Sequence, residues 1–176
     1  MKNLKFFLLL LPFLLYTGIT SAQRMYIKID GVDGESTERG HEKWIDLLSY
    51  KQGVNAESGA VSGAARMRTG KTTFSDLTIV KKIDKTSPLL MEKCAKGLTI
   101  PKVELEITAP NRNGTSGVFY KITLTDVRIS GVNASSDCSS GCQTMEEVSF
   151  YYNKISWEYT GSNGNTQATY DIRTNQ

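Results

Sequence analysis

Hydrophobic and polar positions alternate in several segments of this chain, a period typical of strands that bury one face. Clusters of Gly, Asn and Ser separate the alternating segments. A helix is the rival interpretation of residues 43–50, because their apolar positions also fit a 3.6-residue period. The predicted strands are 25–30, 43–50, 72–80, 102–108, 118–130 (with a bend or break near Asp126), 148–159 and a short one at 169–173.

One segment predicts a helix, from Pro88 to Lys96. Ser87 is suited to cap its free amides, Pro88 fits the first helical position, and Gly97 is placed to end it. Two pairs of residues four apart form the predicted buried stripe of the helix, Leu90 with Cys94 and Met91 with Ala95.

Six to eight strands with one helix predict a barrel or a sandwich.

Residues 53–70 are small and polar and do not alternate. They exceed the usual length of a connection, so we predict a mobile loop or an extended arm that becomes ordered on assembly. Residues 65–72 resemble a phosphate-binding loop with Ala65 in place of the first Gly. Such a loop follows a buried strand and precedes a helix. Neither is predicted here, so we interpret the match as a coincidence.

The first 22 residues have a different pattern. Lys2 and Lys5 precede an apolar block at 6–16, and small residues follow as far as Ala22. This is the arrangement of a secretory signal peptide. The block has 11 residues, whereas a membrane-spanning helix needs about 20. We predict cleavage after Ala22 and no stable membrane span; an uncleaved anchor is the alternative.

The predicted mature chain, residues 23–176, has the length of a single domain. Without Lys2 and Lys5 it has 19 basic and 18 acidic residues, a net charge near +1. Its basic residues form no long run. A nucleic-acid-binding face is usually a clustered basic surface, so we expect no nucleic-acid partner.

The chain has three cysteines. Cys138 and Cys142 lie close together in a polar stretch, residues 133–144, that we predict to be a loop. In an exported protein such a pair predicts a disulfide, with free thiols as the alternative. Cys94 stands alone and is interpreted as a buried apolar side chain.

No group of residues predicts a reaction. His41 is the single histidine, so neither a two-histidine zinc site nor a second imidazole ligand can form. His41 is a possible base of a Ser–His–Asp site, but no serine lies in a Gly-x-Ser-x-Gly sequence. Glu146 and Glu147 point to opposite faces if they lie on a strand, and we interpret them as a solvated strand start. We expect no enzyme activity, metal or cofactor.

Three stretches together resemble a known family. The resemblance is to the Hcp family, the tube proteins of bacterial type VI secretion, and it runs in order from about residue 25 to residue 160, most of the predicted mature chain. The stretches are 26–31 with 34–36 and 40–45, then 81–90 with 94–97, which follows the family pattern K-x-D-x-x-S-P-x-L, and finally 146–150 with 154–159.

This resemblance implies a compact β-barrel of two sheets with one helix beside it. It also implies hexameric rings that stack into a tube, with a sheath around it, a VgrG-type spike at its end and small effectors as cargo. Residues 53–70 correspond to an extended loop that helps rings to stack. Arg66 and Arg68 are therefore the candidate ring-stacking residues, meeting acidic groups of the next ring.

Three functions follow. The first is a non-enzymatic tube subunit. The second is an exported Hcp-like module that binds a partner in the bacterial periplasm or outside the cell, because tube proteins of this family ordinarily leave without a signal peptide. The third is a hydrolase on this fold, for which the sequence offers no catalytic cluster.

Overall fold

The computed structural model describes residues 23–59, 68–110, 116–138, 141–162 and 164–174. The mainly β architecture predicted from the sequence is confirmed. The predicted signal peptide, residues 1–22, lies outside the described ranges. Within them the elements are β1 (Arg24–Ile29), β2 (Ile45–Leu47), β3 (Ser49–Lys51), β4 (Val54–Gly59), β5 (Arg68–Phe74), β6 (Leu77–Lys82), α1 (Ser87–Ala95), β7 (Thr99–Pro110), β8 (Ser116–Asp137), β9 (Gln143–Gly161) and β10 (Gly164–Asp171).

The eight-stranded sheet curls so that its two edges meet at residues 45–51. Its strand order is β2-β1-β7-β8-β9-β6-β3, with β10 paired to β9. Only Leu48 separates β2 from β3, so one short segment pairs with β1 through Ile45↔Ile27 and with β6 through Tyr50↔Ile79. The strand prediction for residues 43–50 is thus confirmed and the rival helix is wrong.

The inner face of the curled sheet is the hydrophobic core. Aliphatic side chains from all the long strands meet there with Phe150 and Tyr152. Ile27, Leu105 and Leu124 are fully buried, and each such side chain contributes about 1.5–3 kcal/mol relative to an exposed one. This core sets which face of each strand points outward to solvent.

Three neighbouring strands turn a corner at the same level. Asp126 lies there with φ of 53°, a left-handed conformation that few residues other than glycine adopt, which confirms the bend predicted near it. On each strand the two buried residues that flank the corner are three positions apart instead of two. The set of residues that points into the core therefore shifts by one residue at the corner. The flanking buried pairs are Ile100 and Val103 on β7, Leu124 and Val127 on β8, and Tyr152 and Ile155 on β9.

The helix connects β6 to β7 and inserts Leu90 into the core. Gly97 has φ of 60° and ends the helix as predicted. The predicted cap is wrong, because Thr86 occupies the cap position and Ser87 is already helical. The Thr86 hydroxyl donates to Asp84 and does not cap the helix amides. Cys94 is half-buried against the core. The second pair of the predicted stripe is wrong, since Met91 and Ala95 are exposed on this short helix. No helix within the described ranges has the length and apolar character to cross a membrane.

The described part of residues 53–70 belongs to a two-stranded arm. β4 and β5 pair with each other as a separate sheet, so of the two predicted alternatives the arm fits the described residues and the loop does not. Residues 60–67 lie outside the described ranges. At the base of the arm, the Phe74 ring stacks on Tyr170 with centroids 4.8 Å apart. Small polar side chains concealed this hairpin in the sequence, because pairing between backbones needs no apolar face.

The predicted loop at 133–144 is mostly strand. β8 and β9 stay paired as far as Asp137↔Gln143, although β7 pairs with β8 no further than Arg128. On the other side, β6 stays paired with β9 as far as Lys82↔Met145. Only the last residues of β8 and the first of β9 therefore extend as a hairpin beyond the sheet. Cys138 and Cys142 lie at disulfide distance at its end.

Candidate assembly surface and the buried clusters that position it

A buried group of charged side chains fixes the start of α1 to the sheet. The Lys81 side chain has no exposed surface, and its Nζ lies 2.6 Å from Glu146 Oε1 and 2.8 Å from Asp84 Oδ1. The Ser87 hydroxyl donates to Glu146 Oε1 at 2.8 Å. An isolated buried charge costs several kcal/mol. Strand β6, strand β9 and the helix must therefore come together for these charges to be compensated.

The interpretation of Glu146 as a solvated strand start is wrong, because the residue is 1% exposed. Glu147, next to it, is exposed. The sequence did indicate that Glu146 is the buried glutamate of the two, because residues two apart on a strand share a face and Glu146 therefore lies on the face of Val148 and Phe150. What the sequence did not identify is its partner, Lys81, which lies 65 residues away along the chain.

Asp84 completes this cluster at the protein surface. Burial acts to raise the pKa of Asp84, but hydrogen bonds from Lys81 and Thr86 outweigh it and hold the pKa below its ordinary value. A carboxyl with a lowered folded-state pKa contributes stability above its unfolded pKa of about 4. That contribution is lost as the pH falls through the folded-state pKa.

An open cleft of about 430 Å³ adjoins the cluster. Its apolar residues include Leu48 and Ile83, which are 45% and 43% exposed. Its carboxylates include Asp46, whose pKa burial raises. Acidic and apolar groups side by side suit a basic, partly apolar segment of a protein partner. The full lining is Glu35, Asp46, Leu47, Leu48, Lys82, Ile83 and Asp84.

His41 lies in a second buried cluster. Its Nε2 is 2.9 Å from Glu106 Oε2, and its ring stacks on Tyr26 and meets the edge of Trp44. Lys121 Nζ lies 3.2 Å from the other oxygen of Glu106. These contacts hold the loop between β1 and β2 against the sheet. Across the described ranges, no three His, Cys, Asp or Glu side chains gather where they could hold a metal ion.

The structure places the sequence-predicted site residues on two different hairpins. Arg68 is the first residue of β5 in the arm, and Arg66 lies outside the described residues. Cys138 and Cys142 lie at the end of the β8–β9 hairpin. The arm and this hairpin are therefore separate candidate contact elements.

The buried pair gives a test by a double-mutant cycle, which compares Lys81→Met, Glu146→Leu and the double variant with the parent protein. Lys81→Met is expected to lower the free energy of unfolding by about 3–5 kcal/mol, because Glu146 then stays buried without its cation. Lys81→Met/Glu146→Leu removes both charges and is expected to recover most of that loss. Urea unfolding followed by tryptophan fluorescence measures both.

Lys96→Met is the control for this cycle. It removes an exposed lysine paired with Glu92 on the helix surface, and it is expected to leave the unfolding midpoint unchanged. A double variant as unstable as Lys81→Met would contradict the pairing.

The chain is similar to type VI secretion proteins over most of its length. The family model described as type VI secretion system effector, Hcp, matches residues 26–159. Protein hcp1 of Pseudomonas aeruginosa is 32% identical over 77% of this chain and 82% of its own length. The Major exported protein of the same species is 28% identical over 74% and 78%. A solved structure of a type six secretion system protein is 31% identical and superposes with a TM-score of 0.80, covering 88% of this chain and 99% of that one. The chain therefore belongs to the Hcp family of type VI secretion system proteins.

Proposed function

We propose that this protein is a non-enzymatic subunit that assembles into hexameric rings, which stack into a type VI secretion tube. The observation that carries the proposal is the agreement in fold with a type six secretion system protein over 99% of that protein's length. Effectors in the ring lumen, a surrounding sheath and a VgrG-type spike are the partners that follow from a tube role.

Exposed groups of this chain support assembly. Three large apolar side chains on or just after α1 stay in solvent, namely Leu89, Met91 and Leu98, each 42–43% exposed. Burying them against another copy is favourable at about 25 cal/mol per Å² of apolar surface. Identical subunits joined by two different, complementary surfaces form a ring when the rotation between them closes.

The ring proposal predicts the mass of the particle. The purified protein is expected to have the mass of six chains in solution, and electron micrographs are expected to show rings. A stable monomer at high concentration would contradict it. Mass photometry and negative-stain imaging of one preparation measure both properties.

The arm is the proposed stacking element. Arg68 lies on it and Arg66 lies just before it in the chain. We propose that the two guanidinium groups meet carboxylates of the adjacent ring, and the acidic cleft beside Asp84 offers carboxylates of this kind.

Charge reversal tests the arm. Arg66→Glu/Arg68→Glu is expected to shorten tubes while leaving single rings intact, because only the contact between rings acquires like charges. Tube length in electron micrographs is the measurement. Arg39→Glu/Lys51→Glu makes the same change in net charge at exposed positions outside the arm. Unchanged tube length in the arm variant, or equal shortening in the control, would argue against this role.

A second candidate function is an exported Hcp-like module without a tube role, which binds a partner in the periplasm or outside the cell. The leader-like pattern of residues 1–22 favours it, and so does the cysteine pair at disulfide distance. We propose that residues 1–22 are a signal peptide, that residues 23–176 form the mature domain, and that Cys138 and Cys142 are oxidised after export.

Intact mass measurement of the native protein tests export. The expected mass is that of residues 23–176 less two hydrogens. Alkylation under denaturing conditions is expected to label one cysteine, Cys94, before reduction and all three afterwards. Recovery of a chain that begins at Met1 from the cytoplasm, with three free thiols, would overturn the export proposal. A monomer that lacks residues 1–22 would favour the exported module over the tube subunit.

A further inference from the structure

The corner of the sheet opens a pocket on its outer face. The pocket has a volume of about 400 Å³ and is lined by Thr99, Asp126, Arg128, Tyr151 and Asn153. The pairing of β8 with both neighbours passes from Thr125 to Val127, so Asp126 is the residue left out of both ladders. A strained residue held at an irregularity of this kind motivates a search for function.

Of the charged side chains that line the pocket, Arg128 is the cation available to a ligand. Asp126 is paired with Arg173, whose guanidinium lies 3.3 Å from its carboxylate. Arg128 donates from Nε to the Thr99 hydroxyl at 3.4 Å. In the part of the chain that the structure describes, no carboxylate lies within ion-pair distance of Arg128. Its guanidinium therefore has donors left for a ligand.

An exposed aromatic residue lines the same pocket as Arg128. Tyr151 is directly opposite Arg128 in the pairing of β8 with β9, and it is 49% exposed. Directly opposite residues on one face have Cβ atoms about 4.5–5.5 Å apart. Tyrosine and arginine are enriched among the residues that dominate binding at protein interfaces.

We propose that this corner pocket recognises a carboxylate-bearing segment of a partner protein through Arg128 and Tyr151. Two N–H groups of the guanidinium hold the two carboxylate oxygens in the paired geometry that arginine favours. The Tyr151 ring packs on the apolar side chain next to that carboxylate. The carboxylate belongs either to an acidic side chain or to a chain terminus, because both groups bind a guanidinium in the same way.

Fluorine NMR of small peptide probes, added to the purified full-length protein, tests this proposal. One probe is N-acetyl-4-fluorophenylalanyl-glutamate amide, which has a side-chain carboxylate. The other is N-acetyl-4-fluorophenylalanine, which has a terminal carboxylate. We expect saturable broadening of the fluorine signal for at least one probe, and the probe that binds identifies the source. The glutamine analogue of the first probe is expected to give no saturable broadening.

Variants of the pocket complete the test. Arg128→Gln is expected to weaken probe binding at least about tenfold, the effect of losing a charged hydrogen-bonding partner. Tyr151→Ser is expected to weaken it as well, and Arg39→Gln, at an exposed arginine elsewhere, is expected to leave it unchanged. No saturable broadening with either probe, or equal binding by Arg128→Gln, would overturn the proposal.

The pocket is formed within one chain, so this outcome is independent of ring formation. Particle mass measured on the same samples separates the two proposals. Rings with no probe binding would reject the pocket alone, and probe binding by a monomer would reject the ring alone.

Discussion

Lys81 carries its ammonium group into a site without solvent access, where Glu146 and Asp84 compensate its charge. Such a group constrains a fold more strictly than an apolar contact, because misplacing either partner leaves a charge buried alone. The three charged residues of this cluster come from the end of β6, the turn after β6 and the start of β9. The same contacts orient Ser87 and hence the first turn of the helix. The position of Leu90 in the core and the path of the chain into β7 follow from that orientation.

The barrel depends on a second constraint, which is backbone pairing. Residues 45–51 pair with β1 and then with β6, so a change of neighbour at Leu48 brings the two edges of the sheet together. Unpaired strand edges invite association with other chains. Among the described residues, unpaired strand edges remain in the arm, in β10 and at the far end of the β8–β9 hairpin.

Sequence patterns predicted the body of the sheet well and its extensions poorly. The long strands alternate because one face contacts the core, and that alternation is visible in the residues around Leu105, Leu124 and Phe150. The described residues at 54–56 and within 133–144 are exposed, with no alternating buried face. Their pairing is carried by backbone hydrogen bonds, which leave no trace in side-chain identity. For this reason residues 133–144 were predicted as a loop, and residues 53–70 as either a loop or an extended arm.

The sequence by itself determined the strand-rich class, the helix and its end at Gly97, and the family to which the chain belongs. These properties depend on local periodicity, on turn residues and on an ordered set of short motifs. Only the tertiary structure decided that Ser87 serves an ion-pair cluster instead of a helix cap and that Glu146 is buried. It also placed Arg128 beside Tyr151 at a corner shared by three strands. Each of these depends on contacts between residues far apart in the chain, and such contacts exist only once the sheet has closed.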